Sequence, residues 1–201
     1  MEKKILIVIN FNNKFKKISF SQVNLKEFFI FYKNFICPYE YTYTLNDENK
    51  LVILFEENNF SHLLGLHKFK KIKSYRYSSD INKDIESNKI TLNYLLEKEP
   101  FTLTKELRDG MTYFPVLKTL LENTDTALQY DLNVICNSKI EFSFLLKTDK
   151  ISVLVYLAVK EIKQNKKICV PVSLLVDRNN RFSKMKLKEL KIKNIKITKR
   201  G

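Results

Sequence analysis

Glycine and proline are scarce, with three and four residues in a chain of 201. So few chain-breakers exclude a loop-rich or low-complexity protein. Three glycines also cannot build a phosphate cradle, and no Walker loop, Gly-x-Gly-x-x-Gly or Gly-x-Ser-x-Gly pattern is present. A nucleotide-cofactor enzyme or an α/β-hydrolase therefore gets no support. The cysteines, Cys37, Cys136 and Cys169, are odd in number and widely spaced, with no Cys-x-x-Cys. Neither a disulfide framework nor a structural zinc site is expected, and a reducing compartment fits. Long apolar runs are missing as well. Ile151 to Val159 is under half of the ~20 residues a spanning helix needs. The apolar run inside Met1 to Asn10 is too short for a signal peptide. A soluble cytoplasmic protein with no membrane partner is the expectation.

Acidic residues are outnumbered: Lys+Arg total 36 against Asp+Glu 22, a net charge of +14 and a pI near 9.5. That balance suits a polyanionic partner, although a lysine-rich surface that is merely solvated gives the same totals. With 44% apolar and 12% aromatic residues the chain can bury a real core, and its length suits one domain.

Residues 4–10 read as a strand or a short helix, followed by a basic connector at Lys14, Lys16 and Lys17. Ser21 is a candidate cap for a helix to about Ile36 that presents Val23, Phe28, Phe31, Tyr32 and Phe35, and Pro38 ends it. Tyr39 to Phe55 alternates about a polar turn and reads as a β-hairpin. The stretch Asn58 to Phe69 reads as one short helix. Beyond it lies a basic patch of Lys68, Lys70, Lys71, Lys73 and Arg76, interleaved with Phe69, Tyr75 and Tyr77. Segments 79–88 and 91–98 are helical in pattern, the second with Thr91 as cap. After Pro100, Thr102 or Thr104 starts a helix that carries Arg108, pauses at Asp109-Gly110 and resumes to about Leu121. Strands follow at 139–147, 151–159 and 168–176. Short turns favour an antiparallel meander, with Pro171 marking an edge or a bulge. The tail 184–201 is basic, with a strand at 192–197. The fold class is α+β, N-terminal helices packed on an antiparallel sheet. The division is an extension over 1–20, a core over 21–183 and the basic C-terminal segment.

Chemistry concentrates in Asn58 to Lys68, which holds both histidines of the chain, a glycine and a lysine. Histidine is the side chain whose ordinary pKa lies nearest neutrality. On a continuous helix His62 and His67, five apart, stand roughly 140° from each other and face different sides. Helical metal ligands sit at i, i+4, so no metal is expected. His62 is either a core histidine or one presented into a cleft. In the strands, alternation puts Phe142, Phe144, Leu146, Val153, Val155, Leu157, Val170, Val172 and Leu174 on a core face. Lys139, Glu141, Ser143, Ser152, Tyr156, Cys169 and Ser173 fall on the other, which is a solvated face or a site.

Several of these motifs recur in a known order. Glu57-Asn58-Asn59-Phe60-Ser61-His62-Leu63-Leu64-Gly65-Leu66-His67-Lys68 follows a helix and a Tyr/Thr-rich extended pair. Then come Tyr113-Phe114-Pro115, Leu120-Leu121, Asn137-Ser138-Lys139-Ile140 and the closing Val170-Pro171-Val172-Ser173-Leu174-Leu175. Over roughly residues 25–180 this resembles the fourth family of phage-associated barnase–EndoU–colicin–RelE-like (BECR) nucleases. The resemblance implies helices before a four-stranded antiparallel sheet whose open face carries a metal-independent RNase site needing no cofactor. The implied reaction is attack of a ribose 2′-OH on the adjacent phosphate, leaving a 2′,3′-cyclic end. His62 would be base or acid, Lys139 would stabilise phosphate charge, and Ser173 would orient phosphate or ribose. His67, Lys68, Arg108 and Tyr156 form a second tier. The implied partners are RNA or a nucleoprotein complex, with a cognate inhibitor as a further candidate, in a toxin or phage–host setting. The alternative is a non-catalytic nucleic-acid or nucleoprotein binder or inhibitor encoded by a mobile element.

Overall fold

The computed structural model describes residues 17–75, 77–130, 141–148, 154–163, 168–180, 182, 184–185 and 187–201. The expectations for residues 4–10, Lys14, Lys16, Arg76, Cys136, Lys139, Ile151 to Val153 and the turns at 149–150 and 164–167 lie outside the described residues.

Helix α1 (Leu25–Phe35) begins four residues after the expected cap. Ser19 to Gln22 close a separate 3-10 turn, in which the Ser21 hydroxyl meets that of Ser19. Asn24 takes over the capping role, its side chain accepting from Glu27 N at 3.2 Å. Buried Phe29 and Tyr32 of α1 pack on Phe60, and Phe28 stacks on Phe114 with ring centroids 5.2 Å apart. Helices α2 (Ser78–Glu86), α3 (Leu92–Lys98), α4 (Lys105–Tyr113) and α5 (Leu117–Asn123) follow. Thr91 caps α3 as its sequence position predicts, and of the two starts open for α4, Thr102 and Thr104, it is Thr104 that caps it. Helix α4 passes through Asp109-Gly110 without a break.

The seven strands among the described residues make a closed barrel. The hairpin of β1 (Tyr39–Leu45) and β2 (Lys50–Leu54) is present as expected. Strands β3 (Thr126–Gln129), β4 (Phe144–Lys147), β5 (Val155–Lys163) and β6 (Ile168–Val176) form the antiparallel meander. The expectation of an all-antiparallel open sheet is corrected at two joints. β6 meets β2 in parallel, through Val52↔Ile168 and Ile53↔Cys169. Strand β7 (Lys188–Lys199), longer than the expected 192–197, pairs with both β1 and β3 and so removes the open edges.

Alternation along the meander is two-sided. Ala127, Phe144, Leu146, Val155, Leu157, Val159, Cys169 and Leu174 join the helices in the main core. Their neighbours Leu128, Leu145, Tyr156 and Ala158 form a second apolar cluster with Phe142 and Phe182, flanked by Met185 and Leu187. The face expected to be polar is thus largely covered by the chain that returns from β6 to β7. The register slips between Ala158↔Ser173 and Val159↔Pro171, leaving Val172 unpaired. This is the bulge that Pro171, lacking an N–H, marks in the sequence. It also reverses the side-chain phase: Cys169 faces the main core, and Val172 packs on the second cluster.

Between β2 and α2 the chain makes a double turn. A helical turn at Phe60–Leu63 ends at Gly65, whose φ of 67° is left-handed, and a 3-10 turn at Leu66–Lys68 starts in a new direction. The one continuous helix expected over this stretch does not form. His67 is turned back beside His62, with ring centroids 5.1 Å apart and 33° between planes.

At the far end of β7, Arg200 donates to the carbonyls of Cys37 and Phe55 and to Glu56 Oε1, tying the ends of α1 and β2 to the closing strand. Charge-assisted bonds of this kind contribute about 1.5–3 kcal/mol. Arg200→Ala is expected to lower stability by about 1–3 kcal/mol in denaturant titration, with Arg200→Lys recovering part of it, because ammonium lacks the planar fork. For Gly65→Ala, φ alone costs about 1–2 kcal/mol, and the new Cβ would run into Leu107 Cδ2. The measurable outcome is loss of the nuclear Overhauser contact between the two imidazoles. Gly65→Asn tolerates the left-handed region but brings the same Cβ, so it should retain the contact only when Leu107→Ala makes room for it.

Candidate nuclease site

Three main pieces of chain, with Glu141 and Lys160 beside them, enclose a cleft of about 830 Å³, within the ordinary range of ligand pockets. One wall is the double turn, from His62 to Lys68. The second is the first half of α4, with Lys105, Glu106, Asp109 and Gly110. The floor is the end of β6, from Val172 to Val176, continued by Asp177 to Asn179 and by Phe182 and Lys184. The parallel β2–β6 junction explains why these meet. Chain leaving β2 runs in the same direction as β6, so the turn carrying His62 falls beside the strand carrying Ser173.

His62, His67, Lys68 and Ser173 all border this cleft. His62 is exposed while Phe60, Ser61, Leu63 and Leu64 around it are buried, which removes the core-histidine reading. Ser173 stands at the β6 bulge and is half-buried. Lys139 lies outside the described residues. Arg108 does not reach the cleft: its guanidinium lies 5.3 Å over the Phe20 ring. At ~100° per residue, Lys105, Glu106, Asp109 and Gly110 share an arc of α4 from which Arg108 points away. Tyr156 is 1% exposed, edge-on to Phe182 at 5.3 Å in the second apolar cluster, and does not border the cleft. It was expected on an open face, and Phe182 is what covers it.

Further charges complete the lining, of which the sequence pattern singled out Glu141. Arg178 donates Nε and Nη2 to the two oxygens of Asp109 at 2.6 and 2.7 Å, a bidentate pair across the mouth between α4 and the β6 turn. Hydrogen bonding to Asp109, then its charge, raises the Arg178 pKa further, so the guanidinium stays charged. Asp177 is buried and accepts from Phe182 N at 2.8 Å, which holds the turn carrying Arg178. Glu106 has its pKa lowered by its own backbone N–H and the Thr104 hydroxyl, with a smaller contribution from Lys68. Lys160 bonds Glu141 at 2.7 Å and lowers that carboxyl's pKa. The cleft is therefore mixed in charge, and carboxylates orient Arg178 and Lys160 within it. Among the described residues no group of three or more His, Cys, Asp or Glu is placed to hold a metal ion. Likewise, no helix among them is long and apolar enough to cross a membrane.

No curated protein and no solved structure matches the chain. A sequence profile does. It describes the phage-Barnase-EndoU-ColicinE5/D-RelE like nuclease 4 family and matches residues 24–199. The match begins at the cap of α1 and runs through β7, past the point near residue 180 where motif resemblance stopped. The cleft, both histidines, Ser173 and the closing strand all lie within it, and the chain belongs to this BECR-like nuclease family.

Proposed function

We propose that the chain is a metal-independent endoribonuclease that cleaves by 2′-OH attack, and that the cleft holding His62 is its site. The observation that carries this reading is the exposed His62–His67 pair, 5.1 Å between rings, in one cleft with Lys68 and Ser173. Membership of a nuclease family supplies the substrate class, nucleic acid.

The reaction asks for few groups. The 2′-oxygen forms a bond to phosphorus as its proton passes to a base. The bond from phosphorus to the 5′-oxygen breaks as an acid protonates the leaving oxygen. The products are a 2′,3′-cyclic phosphate and a 5′-hydroxyl. Two neighbouring imidazoles can divide these transfers, His62 taking one and His67 the other. Lys68 and Arg178 offset the charge that gathers on the phosphorane oxygens, and the Ser173 hydroxyl donates to one of them. Lys139 keeps the phosphate role its motif implies. The biological setting we propose is phage–host conflict, with the protein acting as a toxin.

The test is incubation with a mixed tRNA and structured-RNA pool in EDTA, followed by analysis of the ends. Wild type is expected to leave 2′,3′-cyclic phosphates, and His62→Ala to lose ~10²-fold or more of the rate. Because His62 is exposed, the variant should melt at the wild-type temperature. Cleavage that EDTA abolishes, or that His62→Ala leaves intact, would overturn the proposal. For the setting, induced expression of wild type but not of His62→Ala should arrest bacterial growth.

A further inference from the structure

Among the exposed large apolar side chains Phe101 stands apart: it is 98% exposed, and the next, Tyr77, is 55%. Phe101 sits in a 3-10 turn, Pro100–Thr102, between α3 and α4. The turn is held firmly. Pro100 occupies its first position, Glu99 Oε2 accepts from Lys70 N at 2.7 Å, and the Thr102 hydroxyl donates to the same oxygen at 3.2 Å. A phenyl ring held out into water on a braced turn is a ready platform, since little conformational entropy remains to be lost on binding. Its surroundings are mixed in charge: exposed Lys98, Lys105 and Lys70 stand near it, among Glu97, Glu106 and the Glu99 that braces the turn.

Lys105 also lines the cleft. It lies four positions after Phe101, which bounds the distance between their Cα atoms at about 14 Å. The segment bonded to the turn, at Lys70, lies two residues beyond Lys68 on the opposite cleft wall. A strand of nucleic acid that left the cleft between Lys68 and Lys105 would have this turn within that reach.

We propose that Phe101, with Lys70, Lys98 and Lys105, is a stacking subsite for an unpaired base of single-stranded RNA that flanks the cleaved phosphate. It rests on the reading of the cleft as an RNase site and deepens it, since it assigns a preference for unpaired over duplex RNA. An aromatic face beside lysines is the combination that binds single strands with little regard to sequence, the ring stacking a base and the ammoniums tracking phosphates. A base within a duplex is already stacked on both sides and has no face to offer.

The chain contains no tryptophan, so Phe101→Trp places a single fluorophore at the subsite. The probe is a 2′-O-methyl hexanucleotide of mixed sequence, which cannot be cleaved, compared with its duplex. The single strand should quench the Phe101→Trp emission and the duplex should not. By anisotropy of the labelled single strand, Phe101→Ala should bind about tenfold more weakly, while its cleavage of a dinucleotide, too short to span both places, stays at the wild-type rate. Binding that matches wild type in Phe101→Ala, with no response from Phe101→Trp, would overturn the subsite and leave the cleft reading standing. Failure of wild type to bind any strand would overturn both. Self-association removed by Phe101→Ala, without a response to oligonucleotide, would instead make the ring a protein contact and also overturn the subsite.

Discussion

Two residue pairs, Val52↔Ile168 and Ile53↔Cys169, set the position of the site. They join the N-terminal hairpin to the C-terminal meander in parallel, the one such pairing among the described residues. Had β2 met β6 antiparallel, the chain leaving β2 would have emerged at the other end of the barrel, away from Ser173. So short a junction holds because the barrel closes elsewhere. Strand β7 carries Lys188, Lys191, Lys193, Lys196 and Lys199, a composition typical of a solvated edge. Instead it bonds to β1 on one side and β3 on the other, and Arg200 ties its end to the carbonyls of Cys37 and Phe55.

Local structure was largely legible in the sequence wherever a single periodicity or cap governs it. The hairpin over 39–55, strand 168–176, the caps Thr91 and Thr104 and the bulge at Pro171 all follow from nearest-neighbour rules. The departures arise where one residue changes the phase. Gly65 breaks the helix on which His62 and His67 were expected to diverge, and the left-handed turn makes them neighbours. The unpaired Val172 turns Cys169 into the core. Nor could periodicity tell that Phe182, from beyond the sheet, would cover Tyr156. Arg108 and Arg178 illustrate the same limit for the site. Each is a lone arginine next to an aspartate in the chain, and only the arc of α4 facing the cleft separates a guanidinium over Phe20 from one clamped by Asp109.

The net charge of +14 is not gathered in the cleft. There Arg178 and Lys160 are held by Asp109 and Glu141, and Glu106 lies near Lys68. Paired cations attract a polyanion less strongly at long range than bare ones, but they are held in fixed geometry, which favours a particular phosphate position over loose accumulation. The exposed lysines around Phe101, with Lys188, Lys196 and Lys199 of β7, are suited to the long-range part.

The most direct test of this account is a structure determined with a trinucleotide carrying a 2′-deoxy sugar at the central position, which removes the attacking hydroxyl. The account predicts its phosphate in the cleft, within hydrogen-bonding reach of a His62 ring nitrogen and Ser173 Oγ. A trinucleotide lying along the lysines of β7, with the cleft empty, would contradict it.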